Sequence, residues 1–262
     1  MLTWTQREGV KGRWVPGFVL LPFCRFAQEA APQWVTTTAV IVILVAAAVV
    51  AFIIYERRIR GFERLAEKLG LKFHEHGRGG AGIPNESFLA RSGWFAAAGR
   101  TRLQLEGMLD GFRVSVFEYY RVSDETKGTT RGYPVSVFTA DMRGLPLPAF
   151  LLRPEGIRLK LAQAFGGADI DFLEGNSARF SARYALTSDD ETGMRSVFGG
   201  ELRRFLGERP GWIVEVVEDR LLCYRPPKIF RFLRHTPKRV SRLVKDSREI
   251  LRLLNAACAK KS

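Results

Sequence analysis

Val35 to Tyr55, VTTTAVIVILVAAAVVAFIIY, runs for 21 residues (35 through 55) without a charge, a glycine or a proline, and everything else in the chain is placed relative to it. At ~1.5 Å rise per residue a helix of that length covers ~31 Å, about one hydrocarbon core. The alternative is the buried core helix of a globular protein, which needs surrounding protein on every side. A chain of 262 residues that is strongly basic elsewhere offers little such cover. The stretch therefore reads as a membrane-spanning helix.

Of the 41 basic and 27 acidic side chains behind the net charge of +14, only Arg7, Lys11, Arg13 and Arg25 and only Glu8 and Glu29 precede residue 56, so the rest of the chain carries +12. That part is long enough for a real core, and its charge favours anionic partners. Cys24, Cys223 and Cys258 are scattered and odd in number, which fits a reducing compartment rather than a disulfide framework. Near the span, Arg25 stands on the N-terminal side against Arg57, Arg58, Arg60, Arg64, Lys68 and Lys72 on the other. Basic residues resist translocation. The expected location is the cell inner membrane, crossed once, with the N-terminus outside and the C-terminal domain cytoplasmic.

The first 34 residues are expected to form a poorly ordered leader. Trp14 to Phe26, WVPGFVLLPFCRF, is also shaped like a signal-peptide apolar region, with Ala27 to Ala31 as a small-residue cleavage zone, although Pro16, Pro22 and Arg25 interrupt it. A lipidated Cys24 would need a small residue where Phe23 stands. A cleaved signal, a disordered extension and a mis-called start all remain open.

Beyond the span, Ile59, Phe62, Leu65 and Leu69 give an apolar stripe that continues the helix, and Gly70 is placed to end it. His74 to Gly82, HEHGRGGAG, reads as a loop. Gly77 to Gly82 matches G-x-G-x-x-G literally, but Ile83-Pro84-Asn85 follows where a dinucleotide fold needs a helix to open. His74 and His76 lack the further His or Cys that a metal site requires. Arg102 to Thr139 alternates as antiparallel sheet, with Asp110-Gly111 as a hairpin turn and Ser123 to Gly132 as a polar tip between two strands. A short helix is expected over Ile157 to Phe165, stopped by Gly166-Gly167. Another, capped by Asp189 or Asp190, buries Met194, Val197, Phe198, Leu202, Phe205 and Leu206 and carries Gly199-Gly200 in its middle at ~1 kcal/mol each relative to Ala. Trp212, Val214 and Val216 alternate with Ile213 and Glu215, and Leu221 to Tyr224 returns as a second hairpin.

Two stretches bear on function. Asp169-Ile170-Asp171-Phe172-Leu173-Glu174 has a D-x-D spacing that suits a divalent cation. The same spacing arises when strand carboxylates face water while Ile170 and Phe172 face inward. From Arg225 onward twelve basic residues, among them Lys238, Arg239, Arg242 and Lys245, face only Asp246 and Glu249. Val240, Leu243, Val244, Leu251 and Leu254 fall on one helical stripe with the basic residues largely opposite, as in a docked helix with a solvated outer face or in a helix that also touches an anionic leaflet.

Leu145 to Glu155, LPLPAFLLRPE, together with Asp169 to Phe172, Arg195 to Phe198 and the Trp212-to-Tyr224 hairpin, resembles an uncharacterised bacterial family of single-pass membrane proteins with a cytoplasmic α+β domain. The resemblance spans roughly residues 35 to 235, and the Trp94-to-Gly99 stretch and the long leader depart from it. It implies the architecture and supplies no site residues.

The sequence thus predicts an α+β protein. A leader (1–34), a transmembrane helix (35–55) and a juxtamembrane helix (56–70) precede a cytoplasmic domain of antiparallel hairpins packed with helices (71–225, with halves 71–148 and 149–225). A basic amphipathic C-terminal region closes the chain (226–262). The function expected is a membrane-anchored interaction or scaffold domain that meets the bilayer, anionic phospholipid through Lys238, Arg239, Arg242 and Lys245, and an unknown protein partner. The alternative is a membrane-associated enzyme with a divalent metal at Asp169, Asp171 and Glu174. No catalytic residue and no cofactor is assigned. Nucleic acid is not expected, since the basic tail carries no aromatic side chain after Phe232 for base stacking.

Overall fold

The computed structural model describes residues 33–75, 87–92, 95, 99–121, 134–155, 169–172, 178–226 and 236–260. The chain divides into two compact units, Met1–Glu56 and Arg57–Ser262. Residues 1–32 of the leader, the tip expected at 123–132, the helix expected at 157–165, His76, the glycine loop and Glu174 lie outside the described residues.

A single helix, α1 (Gln33–Leu69), joins the stretches expected as transmembrane and juxtamembrane helices. In the first unit its apolar window has a mean hydropathy of 3.0 and is 0% buried, so no protein covers it among the described residues. It is long and apolar enough to cross a membrane. The Thr38 hydroxyl donates to the Trp34 carbonyl at 2.7 Å, which satisfies a polar group that hydrocarbon would leave unpaired.

In the second unit α1 changes character. Ile59, Phe62, Leu65 and Ala66 are buried, as the stripe predicts. The helix stops where Gly70 takes φ +68. The Gly70 N–H donates to Glu67 at 3.1 Å and the Leu71 N–H to Ala66 at 2.9 Å, the paired closing bonds of a Schellman end. At Gly61 a Cβ would come within 2.8 Å of Pro237 Cγ, so glycine here permits a close approach to the start of the last helix.

Among the described residues eight strands form one antiparallel sheet: β1 (Lys72–Glu75), β2 (Gly99–Leu109), β3 (Phe112–Arg121), β4 (Pro134–Asp141), β5 (Phe150–Pro154), β6 (Tyr184–Ser188), β7 (Ile213–Val217) and β8 (Arg220–Tyr224), in the order β1-β2-β3-β4-β8-β7-β5-β6. Both expected hairpins are present. Asp110 and Gly111, at φ 51 and 84, make the two-residue turn with left-handed geometry at both positions that matches strand twist. Strand β4 pairs with β8, Phe138 opposite Cys223, so a single sheet runs through both halves of the chain. Residues Lys72 to Glu75, expected in part as loop, form edge strand β1, because Phe73 stacks on Phe62 with centroids 6.3 Å apart while Lys72 and His74 face water.

Helices cover one face: α1, α3 (Ala178–Ser181), α4 (Glu191–Val197), α5 (Gly200–Glu208) and α6 (Pro237–Ala259). Val114, Val116, Phe138, Ala140, Val214, Val216, Leu221 and Cys223 meet them there. The alternate residues Phe117, Tyr119, Val135, Val137, Ile213, Leu222 and Tyr224 make a second, smaller core on the opposite face with Phe88 and Leu89 of α2 (Ser87–Arg91) and with Phe95. Burial on both sides is why β7 departs from the expected polar and apolar alternation. All five of its residues are buried, and Glu215 at 0% exposure accepts a hydrogen bond from the Ser92 hydroxyl at 2.7 Å.

The single helix expected after the Asp189 or Asp190 cap, with Gly199-Gly200 in its middle, is corrected. It is two helices, broken at Phe198-Gly199, with Gly199 extended (φ −60, ψ 169) as the N-cap of α5. Glycine is well tolerated at an N-cap, so the interior cost vanishes while Met194, Val197, Phe198, Leu202 and Leu206 still reach the core. Asp190 caps α4 by accepting from the Gly193 N–H at 2.8 Å.

Candidate functional site

Helix α6 carries two stripes. Val240, Leu243, Val244, Ser247, Ile250, Leu251, Leu254 and Cys258 are buried against the sheet, and the five apolar residues singled out from the sequence are all among them. On the other side Lys238, Ser241, Arg242, Lys245 and Asp246 recur at three- and four-residue steps and so line one edge of the helix. That edge, with Arg209 and Pro210 after α5 and Arg225 after β8, encloses an open groove of about 690 Å³.

Local sequence fixes the two arginines that come from outside α6. Arg209 is the C-cap of α5, and Pro210 and Gly211 (φ +92) turn the chain into β7. The Tyr184 hydroxyl holds this turn, donating to the Arg209 carbonyl at 2.9 Å and accepting from the Trp212 N–H at 3.2 Å. Tyr184 is buried, and burial raises its pKa above the ordinary value, which keeps the hydroxyl protonated as a donor. Arg225 follows the last paired residue of β8, Tyr224 opposite Ile213, and Pro226 prevents the strand from continuing. Its guanidinium lies 4.4 Å from the centroid of Trp212, and that of Arg209 lies 4.2 Å from Phe205. Both cations are thus held on aromatic faces.

Glu208, outside the lining, lies 3.6 Å from the Arg209 guanidinium, and among the described residues that line the groove Asp246 is the one acid. Its carboxylate is 3.9 Å from Arg209 Nε and 3.7 Å from Arg225. Both separations exceed a hydrogen bond, so one carboxylate stands between two guanidiniums and saturates neither. Burial pulls the Arg225 pKa below its ordinary value, Asp246 opposes this, and Arg242 and Arg209 reinforce it. The site is a concentration of positive charge for which an added anion is the favourable neighbour.

Of the residues named from the sequence, Lys238, Arg242 and Lys245 come together in this groove, and Arg239 is outside its lining. Arg209 was missed because it lies far from the basic tail in sequence. Arg225 was visible only as one of that tail's many charges. The available signal was an arginine beside an aromatic residue and a turn: Phe205 and Trp212 around Arg209-Pro210-Gly211, and Arg225 before Pro226.

The acidic stretch is arranged differently. Asp169 and Asp171 are exposed while Ile170 and Phe172 are buried, the water-facing alternation foreseen for that spacing. Asp169 accepts from the Thr187 hydroxyl at 2.9 Å and lies 3.5 Å from the Arg153 guanidinium, which stands where a cation would be wanted. At Asp171 the backbone carbonyl accepts from Arg195 at 2.9 Å. His74 Nε2 is 3.1 Å from the Glu106 carboxylate. Among the described residues no three His, Cys, Asp or Glu side chains gather as metal ligands.

No family model matches the sequence, and no curated protein matches it. Among solved structures, the crystal structure of the mycobacterial trehalose monomycolate transport factor A, TtfA, aligns over 74% of this chain and 94% of its own, with a TM-score of 0.45 and 14% sequence identity.

Proposed function

We propose that this chain is a single-pass membrane protein of the cell inner membrane whose α+β unit, on the cytoplasmic side, serves as an interaction or scaffold domain and touches anionic phospholipid through α6. The observation that carries the reading is the groove edge of α6: Lys238, Arg242 and Lys245 stand together, joined by Arg209 and Arg225, on a unit that follows a helix able to span a bilayer. The excess of Lys and Arg just after the span supports the cytoplasmic placement. An anionic cytoplasmic leaflet attracts each nearby basic side chain by ~1 kcal/mol, so several acting together give a contact that needs no further anchor on the domain. A protein partner recruited to the same surface is part of the proposal.

The full chain in nanodiscs of neutral or anionic phospholipid tests this through the amine reactivity of Lys238 and Lys245. In anionic discs at low salt both lysines should label roughly fivefold more slowly, the equivalent of ~1 kcal/mol each, and the protection should fade as salt is raised. Equal labelling in neutral and anionic discs would overturn the lipid contact.

A further inference from the structure

A leaflet contact asks only for positive charge, and flexible lysines supply it. The groove is built more specifically than that. Arg209 and Arg225 come from two separate elements, each is laid on an aromatic face, and both point toward the same side of α6, where Arg242 completes the group. A guanidinium held over an aromatic ring loses less side-chain freedom when it grips a planar or tetrahedral oxyanion with paired N–H donors. Five cations, Arg209, Arg225, Lys238, Arg242 and Lys245, line the groove against the carboxylate of Asp246, and with Glu208 beside Arg209 at 3.6 Å counted as well, three positive charges remain in excess. The carboxylate itself shows that an oxyanion fits between the two stacked guanidiniums, and at 3.7 and 3.9 Å it leaves their donors for a better-placed acceptor. An anion with one negative charge and two oxygens duplicates what Asp246 already does. A phosphomonoester brings close to two charges and three acceptor oxygens, which matches three guanidiniums.

We infer that the groove between α5, β8 and α6 is a seat for one phosphomonoester group, gripped by Arg209, Arg225 and Arg242 with Lys238 and Lys245 at its mouth. This rests on the proposed contact of the same surface with anionic lipid and narrows it from a charged face to a discrete site. The phosphate belongs either to a lipid head group or to a soluble phosphoryl compound.

The experiment uses the full chain in nanodiscs and follows thermal unfolding, because a ligand that binds only the folded state stabilises it by RT ln(1 + L/Kd) at free concentration L and so raises the transition temperature with the logarithm of that concentration above Kd. Neutral phosphatidylcholine discs are titrated with inorganic phosphate against chloride at matched ionic strength. In the lipid arm, discs containing phosphatidic acid, a monoester, are compared with discs containing an equal charge of phosphatidylglycerol, a diester. The variant is Arg242→Gln with Lys245→Gln, two exposed positions on α6 whose loss leaves its buried stripe intact. Arg225→Gln is the second variant.

A response to phosphate whose apparent Kd weakens roughly tenfold or more in the variant supports the seat with a soluble occupant; removing one charged hydrogen-bond partner alone has an effect of about tenfold. A response to phosphatidic acid that exceeds the response to phosphatidylglycerol and is lost in the variant supports the seat with a lipid occupant. Equal responses to both lipids with none to phosphate, or phosphate responses identical in native and variant chains, overturn the seat. Protection of Lys238 and Lys245 in anionic discs would then still stand, and its loss as well would mean that the underlying lipid contact has failed.

Discussion

Arg58→Ala should destabilise the Arg57–Ser262 unit by about 3–5 kcal/mol, the usual effect of stranding one member of a buried ion pair. Arg58 donates to both oxygens of Glu118, at 2.8 and 2.9 Å, and the Glu118 side chain is only 4% exposed. Glu118 sits on β3, on the face that α1 covers, so truncating the arginine leaves a carboxylate that water reaches poorly. The reverse change is milder. Arg58 is 20% exposed and rests against Phe62 at 5.6 Å, so after Glu118→Gln its guanidinium can turn to solvent. Replacing both with apolar residues, Arg58→Met with Glu118→Leu, should recover most of the loss, since the pair fixes a contact more than it adds net stability. Thermal unfolding of the full chain followed by circular dichroism reads the series. At roughly 2–4 °C per kcal/mol for a unit of this size, Arg58→Ala should lower the transition by roughly 6–20 °C. A double variant as unstable as Arg58→Ala would show that packing around the pair, and not the stranded charge, carries the effect.

Trp212→Ala should cost about 3–5 kcal/mol as well, for a different reason, and should disturb the groove with it. Trp212 is 1% exposed and belongs to the helix-covered core, so its removal leaves a cavity the size of an indole among rigid strands. It is also the ring over which the Arg225 guanidinium lies. The indole Nε1 is buried with no hydrogen-bond partner among the described residues, so Trp212→Phe gives up volume but no polar contact. It should cost clearly less than Trp212→Ala and keep an aromatic surface under Arg225. Stability and phosphate response should therefore move together across the series: both lost in Trp212→Ala, both largely kept in Trp212→Phe. A Trp212→Ala chain that retains the native phosphate response would show that the stacked orientation of Arg225 is immaterial to the site.

Features set by neighbouring residues were legible from the sequence. The end of α1 at Gly70, the Asp110-Gly111 hairpin, the cap at Asp190 and the buried stripe of α6 each depend on a few positions whose spacing carries the signal. Pairings between distant segments were not legible. Nothing local in Val137 to Asp141 announces that β8 will lie beside it, and the second core follows from that pairing and from the short α2, so the burial of Glu215 could not be foreseen. The break at Gly199 was misjudged because the same apolar spacing fits one helix with a glycine defect or two helices meeting at a glycine cap. Half of the groove was visible, since Lys238, Arg242 and Lys245 share one helix. The other half, Arg209 and Arg225, is assembled only when the α5–β7 turn and the end of β8 are brought together by the sheet.

The proposed role requires the helix over Val35 to Tyr55 to hold a cytoplasmic domain at a membrane. Protease treatment of intact bacterial spheroplasts and of inverted inner-membrane vesicles carrying the full chain tests that directly, with a C-terminal tag to report cleavage. The prediction is that alkaline carbonate leaves the chain in the membrane, that spheroplasts protect the tagged domain, and that inverted vesicles expose it. A chain released by carbonate, or a domain digested from the outside of intact spheroplasts, would contradict it.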